Sequence, residues 1–296
     1  YEIAGQPETA QIVELGPGRG SLMADMRHSW AQTTPAMREF PIHLVETSPQ
    51  LRKLQRQRIN AAKMTWHDDV QTLPNAALFG VANEFFDALP VDQAIWRQPA
   101  WRHRLVTVTH GTLSFVDGPA LTQAELAAWQ ISNDQTDMTD GAIAEYCPAA
   151  DPIIQQIAGR IACYGGACLV IDYGKNDNFS DSLQAVAAHK PVDLFYQPGS
   201  ADISHWVDFA ALRRAAVSAG ARFIGPVTQA DFLMSIGLRE RAENAARLCD
   251  ADGKRALYAA VDRLVGAHHM GTAFKVGLIV PAGDGVPVGF SQGDIS

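Results

Sequence analysis

The chain has 296 residues, 47% of them hydrophobic and 19% charged, with a formal net charge of -8, a length that admits one large domain or two small ones around a substantial core. The acidic balance argues against a nucleic-acid partner held by a general basic field, and the longest apolar run, around Ala167 to Ile171, is far too short to span a bilayer. Cys147, Cys163, Cys168 and Cys249 form no C-x-x-C pair and have no histidine at zinc spacing, so reduced structural thiols in a cytosol-like compartment are expected, with no disulfide framework and no metal.

Strand and helix alternate along the chain, the pattern of a mostly parallel sheet covered on both faces. Ile12 to Leu15 is the first strand and Ser21 to Trp30 the first helix, with Leu22, Met23 and Met26 inward. Ile42 to Val45 is a second buried strand, ended by Glu46. Ser48 then offers an N-cap with Pro49 at the first helical position, and Leu51, Leu54 and Ile59 recur at roughly helical spacing among Arg52, Lys53, Arg56 and Arg58, a solvated basic face. Met64 to Trp66 is a short third strand with His67, Asp68 and Asp69 just beyond it. Ala77 to Ala82 is a fourth and runs into Asn83-Glu84-Phe85-Phe86-Asp87-Ala88-Leu89-Pro90, at the strand end where open α/β sheets bind ligands.

From Val91 the rhythm changes. Val91 to Trp96, Arg102 to Thr109 and Thr112 to Val116 alternate apolar and polar residues as antiparallel strands do, and Thr122 to Trp129 reads as a short helix. The parallel pattern returns with Ile153, Ile154, Ile157 and Ile161 on one helical stripe and with the strand Ala167 to Gly174, which ends in Asp172 and Tyr173. Residues 175–206 show little periodicity, and a connection that long is usually functional or mobile. Asp208 to Ala219 is a helix, Ala221 to Pro226 a strand, and Asp231 to Leu238, Glu240 to Leu248 and Lys254 to Val265 are helical before the last strand, Ala273 to Val280. The division expected is residues 1–90 for the first part of the core, 91–146 for an inserted β-rich subdomain, 147–280 for the rest of the core, and a frayed tail over 281–296.

The chemistry starts at Val13-Glu14-Leu15-Gly16-Pro17-Gly18-Arg19-Gly20, an apolar strand running into three glycines ahead of a helix. Glycine lets the backbone take positive φ and come close to a ligand. A dinucleotide fingerprint is G-x-G-x-x-G, whereas here the spacing is G-x-G-x-G and Ser21 stands where the third dinucleotide glycine belongs, which disfavours a pyrophosphate and a dehydrogenase. The form resembles the first motif of class I S-adenosylmethionine (SAM) methyltransferases. Glu46, one helix and one strand later, should emerge beside the loop and accept both hydroxyls of a ribose, and Asp69 could accept from the exocyclic amine of adenine. Either acid could instead only cap the next helix; together with the glycines they point to an adenosine-containing ligand.

The stretches VELGPGRGSL, HLVETSPQL, NEFFDALPV, ACLVIDYG, PGSADISHWVDF and MGTAFKV, in this order, resemble the MidA-like family of SAM-dependent methyltransferases, from about Gln11 to Val280. The resemblance implies a class I, Rossmann-like α/β methyltransferase fold with an inserted antiparallel β subdomain. It implies SAM as cofactor, with Glu14, Gly16, Gly18, Gly20, Glu46, Asp69 and Asn83 as its expected contacts. For the mitochondrial member it implies methylation of an arginine on a respiratory complex I subunit. Members usually carry a segment ahead of the glycine strand whose helices help close the SAM pocket; this sequence opens at Tyr1, and no secretory segment is read in it. The expected compartment is the cytoplasm for a bacterial protein and the mitochondrial matrix otherwise.

A guanidinium must be held by acceptors, and carboxylates pair with it bidentately, so Glu84 and Asp87 are the expected catalytic pair, with Asp172 a third candidate. Asn83 and Glu84 could also do no more than satisfy a buried turn. His205, His268 and His269 have no evident partner in sequence and read as surface or capping residues. The alternatives to protein arginine methylation are a small-molecule methyltransferase and a non-catalytic SAM-binding assembly factor that docks a partner through the inserted subdomain and residues 175–206.

Overall fold

β1 (Gln11–Leu15) is buried along its whole length; Val13 and Leu15 join one core cluster and Ile12 the other, as expected of a strand covered on both faces. These details come from a computed structural model that describes residues 7–134, 138–283 and 285–294; the first six residues of the predicted core segment, 135–137 of the predicted insertion, and 284 and 295–296 of the predicted tail lie outside the described residues.

After β1, five residues, three of them glycine, lead into α1 (Ser21–Thr33). Met23 is fully buried against the sheet while Leu22, expected inward, is exposed. β2 (Ile42–Val45) and α2 (Pro49–Ile59) follow. Ser48 caps α2 by accepting from Leu51 N, with Pro49 in the first turn, so the N-terminal signal legible in the sequence is the one the chain uses. β3 (Met64–His67) and β4 (Leu78–Asn83) complete the first half. His67, expected just past the strand, is its last residue; it is buried, and its Nε2 lies 2.9 Å from His43 Nδ1 on β2. Desolvation holds His43 down to about 4.

The rhythm change at Val91 is a separate four-stranded antiparallel sheet made of β5 (Asp92–Arg97), β6 (Ala100–Thr109) and β7 (Thr112–Ala120), then, after α3 (Gln123–Trp129), β8 (Ile143–Tyr146). Thr122 and Glu125 form a reciprocal capping box on α3. β8 shows no alternation in sequence and is recruited by tertiary pairing with β5. Trp96, Trp101, Leu126 and Trp129 give this unit its own core.

α4 (Ala150–Tyr164) returns the chain to the main sheet, burying Ile154, Ile157 and Ile161, and β9 (Gly166–Lys175) follows. Residues 175–206, expected to lack regular structure, contain β10 (Gln184–Ala187), β11 (Lys190–Val192) and β12 (Asp202–Ser204), a three-stranded sheet of its own. Its strands are too short to leave a period-2 signature. β13 (Val207–Asp208) and α5 (Phe209–Ser218) come next, with Asp208 capping α5 through Ala210 N and Ala211 N. β14 (Arg222–Thr228), the helices α6 (Gln229–Ser235), α7 (Leu238–Ala246), α8 (Ala251–Val265) and α9 (Met270–Ala273), and β15 (Phe274–Val280) end the fold. The tail does not simply fray: Phe290 packs its ring 5.5 Å from Phe232 and Asp294 accepts from Ser291 N.

The main sheet has the order β14-β15-β9-β4-β1-β2-β3, with β13 beside β9. β9, β4, β1, β2 and β3 are mutually parallel, and β15 runs antiparallel to both its neighbours. Strand order reverses between β1 and β4, the switch point at which such sheets open a ligand crevice. No helix among the described residues is long and apolar enough to cross a membrane, and all four cysteines are free.

Candidate active site

Two chain segments leave the carboxyl ends of β1 and β4 and face each other across the switch point. In the first, Gly16, Gly18 and Gly20 all take positive φ, at 59°, 51° and 76°. Gly16 is further constrained by its neighbour, since a Cβ there would lie 2.7 Å from Phe85 Cδ2. At Gly18 a Cβ would meet nothing within 4 Å, so the loop is bare on that side. Gly20 caps α1 without a side-chain bond. The loop is held by Gly16 N to Val45 O and by Gln55 Nε2, which donates to Gly18 O at 2.7 Å.

Gln55 is a residue of the cleft's framework that the sequence reading missed. It is fully buried on α2, its Nε2 also reaches Glu46 Oε2 at 3.2 Å, and its Oε1 accepts from Trp66 Nε1 at 2.7 Å. One amide thus ties the glycine loop, the predicted ribose acid and the edge strand together. The available signal was a glutamine on the apolar stripe of α2, between Leu51 and Ile59.

Glu46 stands where expected, beyond β2, half-buried. Its Oε1 accepts from Ser48 N at 2.8 Å and its Oε2 from Gln55. A carboxylate has about four acceptor sites, so lone pairs remain on both oxygens for a diol. Gly16, Glu46, Asp68, Asp69, Phe85 and Leu89 are among the walls of a cleft of about 650 Å³, counted out to its open mouth, within the usual range for a cofactor site. Asp69 is in that wall, and its Oδ1 caps the following turn through Gln71 N at 2.7 Å, so the capping role weighed in the sequence is one it performs. Asp68 is solvated and pairs with Arg52 at 2.6 Å. The basic face of α2 is less free than expected: Arg52 donates to Glu46 O, Arg56 covers the Trp66 ring at 4.7 Å, and Arg58 bonds Ser21 Oγ.

Glu14, at the end of β1, is buried, its Oε2 has no hydrogen-bond partner, and burial raises its carboxyl to about 7. A buried unpaired carboxylate is costly, and one beside a bare glycine loop is suited to an incoming ammonium. The residues present therefore fit an amino-acid nucleoside of the SAM kind.

The second segment, residues 83–90, carries the acceptor candidates. Glu84 is exposed, with φ at 49°, and Asn83 Nδ2 donates to its Oε1 at 3.2 Å. Asp87 is buried, and burial, followed by the charge of Glu84, lifts its carboxyl to about 6. Phe86 is core and Phe85 stands edge-on to it, half-exposed in the cleft wall.

Asp172, expected as a third acceptor residue, has another position. Its side chain is fully buried and faces the backbone: Oδ2 accepts from Phe86 N at 2.9 Å and Asp87 N at 3.2 Å, and Oδ1 from Tyr173 N at 2.9 Å. It shapes the turn from below. Desolvation, followed by the charge of Asp87, raises its carboxyl well above the ordinary range. The N–H groups of Phe86 and Asp87 go to Asp172, while the side chains of Asn83 and Glu84 bond each other. Among the described residues, none of Glu84, Asp87 and Asp172 has a basic partner in an ion pair.

His205, read from sequence as a surface or capping residue, is 4% exposed. His269 lies 3.5 Å from Asp262 at the surface, in keeping with a peripheral role.

A mostly parallel sheet with an antiparallel β15, a glycine loop after β1 and an acid after β2 defines the class of SAM-dependent methyltransferases. Residues 1–227 match the model of a family of S-adenosyl-L-methionine-dependent methyltransferases, and the chain belongs to that family, the MidA-like one its motifs resemble. Protein arginine methyltransferase NDUFAF7, mitochondrial, of Xenopus tropicalis is 33% identical over 306 residues, covering 94% of this chain and 70% of that protein. The Homo sapiens protein of the same name is 30% identical, covering 95% and 68%. A crystal structure from Burkholderia thailandensis bound to S-adenosyl-homocysteine superposes with a TM-score of 0.83 at 27% identity, over 99% of this chain and 76% of that one. A native structure from the same organism gives 0.85 at 27% identity, over 99% and 79%. The chain is a SAM-dependent methyltransferase, with SAM as its methyl donor.

Proposed function

We propose that this methyltransferase modifies arginine side chains of a protein, with Glu84 and Asp87 as the groups that hold the guanidinium, and that Glu14, Gly16, Gly18, Gly20, Glu46, Asp69 and Asn83 hold the donor. The observation that carries this reading is the pair Glu84 and Asp87 on the turn after β4, whose Phe85 and Leu89 line the cleft, with no basic ion-pair partner for either among the described residues. Such a site is completed by a cation, and a planar guanidinium donates paired N–H bonds to carboxylates. The relatives named as protein arginine methyltransferases support the same acceptor.

SAM supplies an electrophilic methyl group on sulfonium sulfur. The work of the protein is then alignment and charge placement. Glu84, solvated at the rim, meets the incoming side chain; Asp87, fixed through its own N–H to Asp172, orients the reacting nitrogen and accepts its proton. The acceptor to try first is a respiratory complex I subunit, in the mitochondrial matrix of a eukaryote or the cytoplasm of a bacterium.

Incubating the protein with methyl-labelled SAM and an extract of cells lacking its gene tests the proposal. Label in a protein band that yields methylarginine on hydrolysis is the expected result. Label in the low-mass fraction identifies a small-molecule enzyme, and SAM binding with no label anywhere identifies a non-catalytic assembly factor; either result contradicts the proposal.

A further inference from the structure

Asp69 and the single 3-10 turn behind it, Val70–Thr72, contribute two residues, Asp69 and Val70, to the wall of the donor cleft. The turn holds itself loosely. Its internal bonds, Thr72 N to Asp69 O and Leu73 N to Val70 O, are both 3.2 Å, at the long end for such contacts. Side chains from elsewhere fasten it. From α4, the Nη2 of Arg160 donates to Gln71 O at 3.0 Å and to Leu73 O at 3.2 Å. From β3, His67 Nδ1 lies 2.8 Å from Thr72 Oγ1, and that hydroxyl in turn donates to Asp69 O at 2.8 Å.

The protons along this chain of bonds have one consistent order. A carbonyl only accepts, so the hydroxyl proton of Thr72 goes to Asp69 O, and the Thr72 oxygen accepts from His67 Nδ1–H. His67 Nε2 is then a lone pair, which accepts from His43 Nδ1–H at 2.9 Å. Both rings are buried, and in this order both are neutral. Their surroundings favour that state: burial, followed by the charges of Arg52 and Arg160, holds His67 below its ordinary value against the opposing pull of Asp68, and burial holds His43 down to about 4. The carbonyl of His67 also accepts from Glu46 N at 3.0 Å. One residue thus reaches, through its ring and its main chain, both acids assigned to the nucleoside.

We propose that His67 is a positioning residue for the methyl donor: its ring, set by His43 and acting through Thr72, holds Asp69 where it accepts from the exocyclic amine of the base, and so makes the cleft select adenine, a role that rests on the donor contacts proposed for Glu46 and Asp69. Asp69 Oδ1 caps the turn through Gln71 N, but a carboxylate has about four acceptor sites, so capacity remains for a ligand amine. A 6-amino group donates to that carboxylate. A 6-oxo group in its place sets acceptor against acceptor, which the cleft refuses while Asp69 is held and tolerates once the turn can shift. His67 is not among the residues lining the cleft, and it acts through Thr72.

Calorimetry with S-adenosyl-homocysteine and its 6-oxo analogue, S-inosyl-homocysteine, reads this selection. The wild-type protein is expected to prefer the adenosine compound on the order of 10- to 100-fold, as for a hydrogen bond to a charged group. Thr72→Val removes only the hydroxyl of an exposed residue and should bring the two affinities within about threefold of each other; Thr72→Ser should restore the preference. At His67 two amides divide the ring between them. His67→Asn keeps a donor near the Nδ1 position and should keep the preference, whereas His67→Gln places its amide near Nε2, out of reach of Thr72, and should lose it. Glu46→Gln should weaken both ligands and leave their ratio unchanged. Equal effects of the two His67 variants, or a full preference in Thr72→Val while Asp69→Asn has lost it, overturn the positioning role and leave Asp69 as the adenine contact. A wild-type preference in Asp69→Asn, or equal binding of the two ligands by the wild-type protein, instead overturns that contact itself.

Discussion

The cleft around Gly16 and Glu46 and the turn around Glu84 and Asp87 lie side by side at the same switch point but use different physics. The cleft is made mostly of backbone: positive-φ glycines, a loop carbonyl held by Gln55 and one half-buried acid with spare lone pairs. Its shape follows from residues close together in sequence, and it recognises a ligand by approach and hydrogen bonding. The turn is made of desolvated charge. Asp172 reaches it from 86 residues away, Asp87 is held above its ordinary value by burial, and its carbonyl is pinned by His205. A site of the first kind suits the nucleoside part of the donor, with buried Glu14 beside it for an ammonium; one of the second kind is poised for the acceptor's cation.

That contrast can be broken at either side. The largest effect is expected for Asp172→Ala, which leaves three N–H groups without their acceptor, each worth about 1–3 kcal/mol; denaturant unfolding should show a loss of roughly 3–5 kcal/mol, with methyl transfer abolished. Glu46→Gln removes charge from a carboxylate proposed to accept a diol, and calorimetry should show S-adenosyl-homocysteine binding weakened by roughly 10- to 100-fold, as for loss of a charge-assisted hydrogen bond, with the fold intact. Gly16→Ala places a methyl against Phe85 on a backbone with φ at 59°, strain on the order of 1–2 kcal/mol; binding should weaken about tenfold and melting fall slightly.

The smallest predicted change is a pH dependence at Glu14. Burial raises its carboxyl from 4.5 to about 7, so the unliganded protein loses stability as pH rises between those values, and a bound ammonium returns it. Below that value S-adenosyl-homocysteine affinity should fall by up to tenfold per pH unit, because the ligand prefers the ionised acid. Glu14→Gln should flatten this limb; an unchanged limb would place the titrating group elsewhere.

The same contrast explains what could be read from sequence. β1, α1, β2 and α2 announce themselves through apolar runs, the Ser48-Pro49 cap and the glycine spacing, because local backbone preference and burial agree there. Glu46 follows from the strand before it. Gln55 was hidden because a polar residue on an apolar stripe is ordinarily a lapse in periodicity, and its three hydrogen bonds exist only once β1, α2 and β3 are assembled. Asp172 and His205 were misjudged for a related reason. Asp172 looked like a strand-tip acid facing ligand, yet in β9 it turns under residues 86–87; His205 follows a strand of three residues with no periodicity to betray its burial. β8 and the sheet of residues 184–204 are likewise products of pairing rather than of propensity.

The most direct test of the account is calorimetry and methyl transfer measured together on the double variant Glu84→Gln, Asp87→Asn. If the cleft binds the donor and the turn binds the acceptor, S-adenosyl-homocysteine affinity should stay within about threefold of wild type, a change under 1 kcal/mol, while label in protein disappears. Loss of nucleoside affinity in that variant, or methylation of protein at the wild-type rate, would contradict it.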